Sequence, residues 1–243
     1  MLEETNRDYV LFLQVFGREG ERIGGRDTHP GLGRYPTGRW RAGEVIADTV
    51  PVPLAADAKA PAALRLDLGL YLPSSPRLIA ANGRDTISVG PVRLAAREPT
   101  MLTGTPLTYQ LGNGMRLVAW DPEWDGPVRP GGTLRFTLYW ACDVPPDRPL
   151  NIFVHLVGED GSPLAQGDGP PLDGDYPTDL WAPGDIVADE RVVALPVTLS
   201  PGRYTLLVGL YSLETEERLP AFDAHGTRLP ADAIPLTALE VTP

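Results

Sequence analysis

NIFVHLVGEDGSPLAQGDGPPLDGDYPTDLWAPGDIVAD, residues 151–189, decides the fold because it occurs twice. Displaced by 141 positions it lies without a gap on residues 10–48, VLFLQVFGREGERIGGRDTHPGLGRYPTGRWRAGEVIAD. Phe12 meets Phe153, Gly17 meets Gly158, Asp27 meets Asp168 and Pro30 meets Pro171. The series continues with Tyr35-Pro36-Thr37 on Tyr176-Pro177-Thr178, Trp40 on Trp181, Gly43 on Gly184 and Asp48 on Asp189. Self-similarity at this distance means two copies of one structural unit in the 243-residue chain.

Each copy reads as β-structure. Residues 9–16 and 152–157 are apolar on both faces, as a central strand covered on both sides requires. An acidic-Gly turn follows (Glu19-Gly20, Asp160-Gly161), which suits a tight hairpin. Next come a short strand and a long loop, residues 28–43 and 169–184. Strands are then predicted at 44–54 and 185–195, at 64–72 and 204–212, and at 86–95 and 234–241. The second copy has additional strands at 107–111, 116–120 and 133–142 that nothing before Tyr9 matches. The expectation is an all-β protein with two immunoglobulin-like or jelly-roll-like β-sandwich units in tandem, the first lacking its opening strands. The first unit spans residues 1–97, a linker 98–106, and the second, complete unit 107–243.

A sandwich short of strands exposes an apolar face and unpaired edges. Three readings follow. The chain is a fragment whose first strands lie upstream in a longer parent protein, the reading favoured by the abrupt start on a central strand. Or the first unit is a self-sufficient variant leaning on the second. Or another chain, such as a second copy in a homo-oligomer, donates the strand.

Composition narrows the function classes. A net charge of −11 argues against nucleic-acid binding, which needs clustered cations. No apolar run approaches the ~18 residues that span a bilayer, so no membrane insertion by this segment is expected. The N-terminal MLEETNRD has neither the basic nor the apolar part of a signal peptide. The one cysteine, Cys142, excludes an internal disulfide and falls on the apolar side of the 133–142 strand.

The loop aromatics Tyr35, Trp40, Tyr176 and Trp181 are the candidate ligand-binding residues, since an exposed aromatic face can stack on a sugar ring. The alternative is that they pin the long loop to the sandwich, and their fixed spacing in both copies favours it. Asp168, Asp173 and Asp175 are candidate ligands for Ca2+ in the second unit, where Asp160 and Asp179 crowd the same loop. The first copy carries Leu32, Arg34 and Gly38 opposite Asp173, Asp175 and Asp179, so a metal is expected there least. No nucleophile elbow, phosphate loop or zinc-binding motif is present, and no enzyme activity is expected.

Phe153-x-His155-Leu156, Asp160-Gly161, Gly174-x-Tyr176-Pro177-Thr178, Trp181-x-Pro183-Gly184 and Val208-Gly209-Leu210-Tyr211 together resemble a β-sandwich module of bacterial surface proteins. That module is appended, singly or in tandem, to multi-spanning membrane proteins of glycosyltransferase type. The first copy departs from it where Pro183-Gly184 becomes Ala42-Gly43 and Gly202-x-Tyr204 becomes Ala62-x-Leu64. The resemblance implies an extracytoplasmic, non-catalytic accessory domain, part of a longer exported or membrane-anchored protein. A glycan or cell-envelope component is the expected partner. The second expectation is a surface or filament subunit that assembles by strand donation into the incomplete first unit.

Overall fold

A computed structural model of the chain describes residues 5–124 and 126–243. Among these the protein is all-β: its helical turns are all short 3-10 turns, and none is long or apolar enough to cross a membrane. The chain divides into two compact units between Ala95 and Ala96.

The first unit, so far as it is described, is one antiparallel sheet. Its strands are β1 (Val10–Phe16), β2 (Arg22–Thr28), β3 (Ala62–Tyr71) and β4 (Ile87–Leu94), in the order β2-β1-β3-β4. Directly opposite residues share a face. The register pairs Leu11 with Leu70, Leu13 with Leu68 and Val15 with Leu66, and then Leu68 with Ile87 and Leu66 with Val89. One face of the sheet is therefore a continuous field of Leu, Ile and Val.

The second unit is a two-sheet sandwich. One sheet has the order β10-β7-β6-β5-β12, with β5 (Thr105–Leu111), β6 (Met115–Pro122), β7 (Thr133–Cys142), β10 (Ile186–Ala194) and β12 (Ala221–Phe222). The other has the order β13-β11-β8-β9, with β8 (Asn151–Val157), β9 (Pro163–Gln166), β11 (Gly202–Tyr211) and β13 (Ile234–Val241). The core between them collects the inward residues of β7, Leu134, Phe136, Leu138 and Trp140, with Ile152, Val154, Leu206 and Val208 from the facing sheet. Phe136 meets Trp120 of the same core and Trp124 at its border edge-on, and the two tryptophans are tilted against each other.

The duplication holds at the level of backbone pairing. β8 meets β11 with Ile152 opposite Leu210 and Val154 opposite Val208, the same register as Leu11 with Leu70 and Leu13 with Leu68. The 3-10 turns coincide as well, Pro30–Gly33 with Pro171–Gly174 and Thr37–Arg39 with Thr178–Leu180.

Two features differ from the sequence reading. The strand expected at 185–195 is β10, paired along its whole length with β7. Its counterpart at 44–54 is not a strand; only Leu54 makes an isolated bridge, to Gly24. The physical reason is that a strand needs a partner, and among the described residues the first unit has no counterpart of β7. The stretch 98–106, read as a linker, is tied to the second unit. Thr100 Oγ1 donates to the Ile186 carbonyl (2.6 Å), Thr103 Oγ1 lies 2.5 Å from Tyr139 Oη, and β5 already starts at Thr105.

Candidate functional site

The long loop of each unit is closed by the same set of bonds. In the second unit Tyr176 Oη donates to Asp185 Oδ2 (2.7 Å), and the Trp181 indole N–H donates to the Tyr176 carbonyl (3.0 Å). Thr178 Oγ1 accepts the Leu150 N–H (2.8 Å), Asp185 Oδ2 accepts the Ala182 N–H (2.9 Å), and Asp189 Oδ1 accepts the Leu172 N–H (2.7 Å). The first unit repeats this bond for bond. Tyr35 Oη donates to Glu44 Oε1 (2.8 Å) and Trp40 to the Tyr35 carbonyl (3.1 Å). Thr37 Oγ1 accepts the Tyr9 N–H (2.8 Å), Glu44 Oε2 that of Arg41 (2.9 Å) and Asp48 Oδ2 that of Gly31 (2.8 Å). The N–H of Arg41 and the hydroxyl of Tyr35 hold the Glu44 carboxyl below its ordinary pKa, and the same bond raises that of the Tyr35 phenol.

These bonds place the candidate ligand-binding residues. Tyr176 and Trp181 are stacked on each other at 6.2 Å and are only 1% and 2% exposed. Both ring faces are spent inside the protein, so they anchor the loop. Tyr35 and Trp40 make the same clamp but remain half-buried. The acid that receives the tyrosine, Asp185 or Glu44, was not singled out from sequence. Its signal was present: an acidic residue directly after the shared Gly184 or Gly43.

The candidate calcium ligands do not converge. Among the described residues no group of three or more His, Cys, Asp or Glu side chains is arranged to hold a metal ion. Asp168 accepts the Val154 N–H (2.8 Å) and pairs with His155 Nε2 (3.1 Å), a loop-to-strand tie. Asp173 sits exposed on the Pro171–Gly174 turn, which the chain passes with Leu172 and Asp173 at positive φ, and Asp175 directly follows it. Asp189 is fully buried against Arg191, whose guanidinium also donates to the Pro170 carbonyl (2.9 Å). Burial pushes the Asp189 carboxyl up, while Arg191 and the Leu172 N–H pull it back. Cys142 is enclosed, its thiol pushed up to about 11 by burial and by the nearby Asp185 and Asp143. A thiol in that state is a packing residue.

The surface that stands out is the part of the first sheet's apolar face that lies bare toward β4; Leu13 and Val15 of the same face are buried. Ile87, Val89 and Val92 are 41%, 47% and 41% exposed, whereas Ile234, which opens the equivalent strand, is fully buried. Where that face meets the loop clamp there is a cavity of about 300 Å3. Its walls are Leu11, Trp40, Ile46, Leu68, Leu70, Leu78 and Ile79, with Asp48 and Asp85 at the margin. The corresponding residues of the second unit, Ile152, Trp181, Val187, Val208 and Leu210, belong to one core cluster with Leu117, Leu138 and Trp140 of the opposite sheet. The cavity thus occupies the place that a covering sheet fills in the other copy.

The second unit has a cleft of different chemistry, about 660 Å3, at one end of its sandwich. It lies between the Gly112-Asn113-Gly114 turn, the 144–150 loop and the 212–220 loop. Asp147, Arg148, Ser212 and Glu217 supply polar groups, and Arg148 is 3.2 Å from Asp147 and 3.7 Å from Glu214.

No protein-family model and no curated protein matches the chain. Among solved structures the chain is similar to the crystal structure of the C-terminal domain of wzt. The identity is 16%, the TM-score 0.39, and the match covers 56% of this chain and 78% of that one. No residue role is carried over from so distant a likeness.

Proposed function

We propose that the protein is a non-catalytic binding module whose working surface is the bare apolar face of the first unit. The observation that carries this reading is the cavity beside Trp40. One copy of the repeat fills that space with its own sheet, and the other leaves it lined by Leu, Ile and Trp. Contiguous exposed apolar surface of this kind marks sites of association. Its volume falls at the small end of ordinary ligand pockets. The polar groups that a sugar needs are few there, so an apolar partner fits better than a glycan.

Ile79 tests the reading because it lines the cavity yet is largely exposed, so changing it leaves the fold intact. An environment-sensitive apolar dye should brighten on the native chain, and Ile79→Asp should weaken its binding about tenfold, the effect of a charge set into an apolar contact. Dye binding that Ile79→Asp leaves unchanged would overturn the assignment.

A glycan or cell-envelope component is the second reading, and the polar cleft of the second unit is what favours it. Tyr176 and Trp181 have no free face for stacking, so on this reading the contacts come from Arg148, Glu217 and Asn113. Calorimetry against envelope glycans with Arg148→Ala is the test, and unchanged binding would remove the cleft. An extracytoplasmic place for the chain rests on the resemblance to surface modules and is part of this proposal.

A further inference from the structure

The bare face lacks a sheet, and the repeat specifies which strand would cover it and how. In the second unit β10 pairs antiparallel with β7, with Val187 opposite Trp140 and Asp189 opposite Leu138. At the two ends of that ladder the Cys142 N–H donates to the Asp185 carbonyl (3.0 Å) and the Leu195 N–H to the Gly132 carbonyl (2.9 Å). Antiparallel pairs alternate between bonded and unbonded. The odd-numbered residues of β10 therefore turn their backbone groups toward β7, and the even-numbered ones turn theirs away.

Carried back by 141 positions, the residues facing the vacant side are Ile46, Asp48, Val50 and Val52. Among the described residues their backbone N–H groups have no hydrogen-bond partner. Side-chain burial follows the same alternation at the apolar positions, Ile46, Val50 and Val52 half-buried against exposed Val45, Ala47 and Thr49, while Asp48 is exposed. The two prolines of the stretch, Pro51 and Pro53, fall on the opposite set, matching Val192 and Ala194. Proline cannot donate to a ladder and is confined to the outward side of an edge strand. Pro53 uses that outward side, its carbonyl accepting the Gly25 N–H (3.3 Å). The segment has thus kept each donor that a partner on the inner side would need, and its prolines lie on the other side, the one that meets β2.

We propose that residues 45–53 and the bare face accept one donated β-strand from another polypeptide. The strand runs antiparallel to 45–53 and carries an apolar side chain at every second position, as β7 does with Leu134, Phe136, Leu138 and Trp140. The residue opposite Ile46 fills the cavity beside Trp40 and is the largest of the series, as Trp140 is opposite Val187. This inference rests on the binding-module reading and adds its partner and register.

The probe is a synthetic peptide with the sequence of residues 132–143, carrying Cys142→Ser and terminal lysines for solubility. It is added to the full chain, and amide hydrogen exchange is read residue by residue. The amides of Ile46, Asp48, Val50 and Val52 should slow by about tenfold or more, as newly bonded amides do, while those of Ala47 and Thr49 stay fast. Val50→Pro, which deletes one inward donor, should weaken peptide binding about tenfold, whereas Thr49→Pro should leave it nearly unchanged. Peptide binding without this alternating protection, or with equal effects of the two prolines, overturns the strand and leaves the apolar-face reading standing. Failure of both peptide and dye to bind overturns both. Protection that grows with the chain's own concentration, without peptide, overturns the proposed partner in favour of a second copy.

Discussion

Gly69 and Gly209 show how much a single position decides. A Cβ at Gly209 would lie 2.5 Å from the Phe153 ring, and one at Gly69 would lie 2.6 Å from the Phe12 ring. On each phenylalanine rests a guanidinium, Arg218 or Arg77, 4.1 Å from the ring centre. Gly69-Leu70-Tyr71 and Arg77-Leu78 recur in the second copy as Gly209-Leu210-Tyr211 and Arg218-Leu219, and they are parts of one stack: glycine as floor, phenylalanine across it, arginine on top. Gly209→Ala should force the ring aside and cost about 1–3 kcal/mol, the usual range for an overpacked site. Chemical denaturation should show this as a lower midpoint with an unchanged slope. The sequence displayed the phenylalanine, glycine and arginine as repeated letters, but not their contact, since Phe153 and Gly209 lie 56 positions apart and only the β8–β11 register brings them together.

At the scale of the element, the loop clamp and the 44–54 segment behave in opposite ways. The clamp is the same in both units because its donors and acceptors all lie within one repeated arm, Tyr9 to Asp48 and Leu150 to Asp189, and need no second sheet. The fixed Tyr–Trp–Gly spacing is its trace in the sequence. Segment 44–54 has the same ancestry as β10 and the same alternation, yet it forms no strand. Sequence pattern reports what a segment is able to pair with, not whether the partner is present, and that is why the prediction failed there. The burial of the anchors also depends on the missing sheet. Trp181→Ala should cost about 3–5 kcal/mol, as removal of a buried tryptophan does. Trp40→Ala should cost clearly less, because its ring is already half in water. A thermal melt of each variant, monitored by near-UV circular dichroism, is the check, and equal losses would show that the two rings are equally enclosed.

Across the whole molecule the two units have very unequal cores. Val15, Ala62 and Leu64 form the small buried cluster of the first, with Ile23, Val52, Leu66 and Leu94 against it. The second gathers most of the inward residues of nine described strands. Apolar burial is the main source of stability, so the units should not melt together. Differential scanning calorimetry should resolve two transitions, with Leu64→Ala moving the lower one and leaving the upper in place. A single transition that Leu64→Ala shifts as a whole would show one cooperative unit. The tandem all-β architecture was readable from the duplication. The cavity was only implied by it, because it arises where no described residue of the first unit stands in the place of Leu117, Leu138 and Trp140.

The clamp also bears on the order in which the chain organises itself. Its tyrosine meets its acid nine positions on, Tyr35 to Glu44 and Tyr176 to Asp185, and its tryptophan bonds a carbonyl five positions back. Loops of about ten residues close in roughly 10–100 ns, far sooner than distant strands find their register. Each arm is thus able to take its shape as a local nucleus ahead of the sheets, and the rim of the first unit is finished without help from a second sheet.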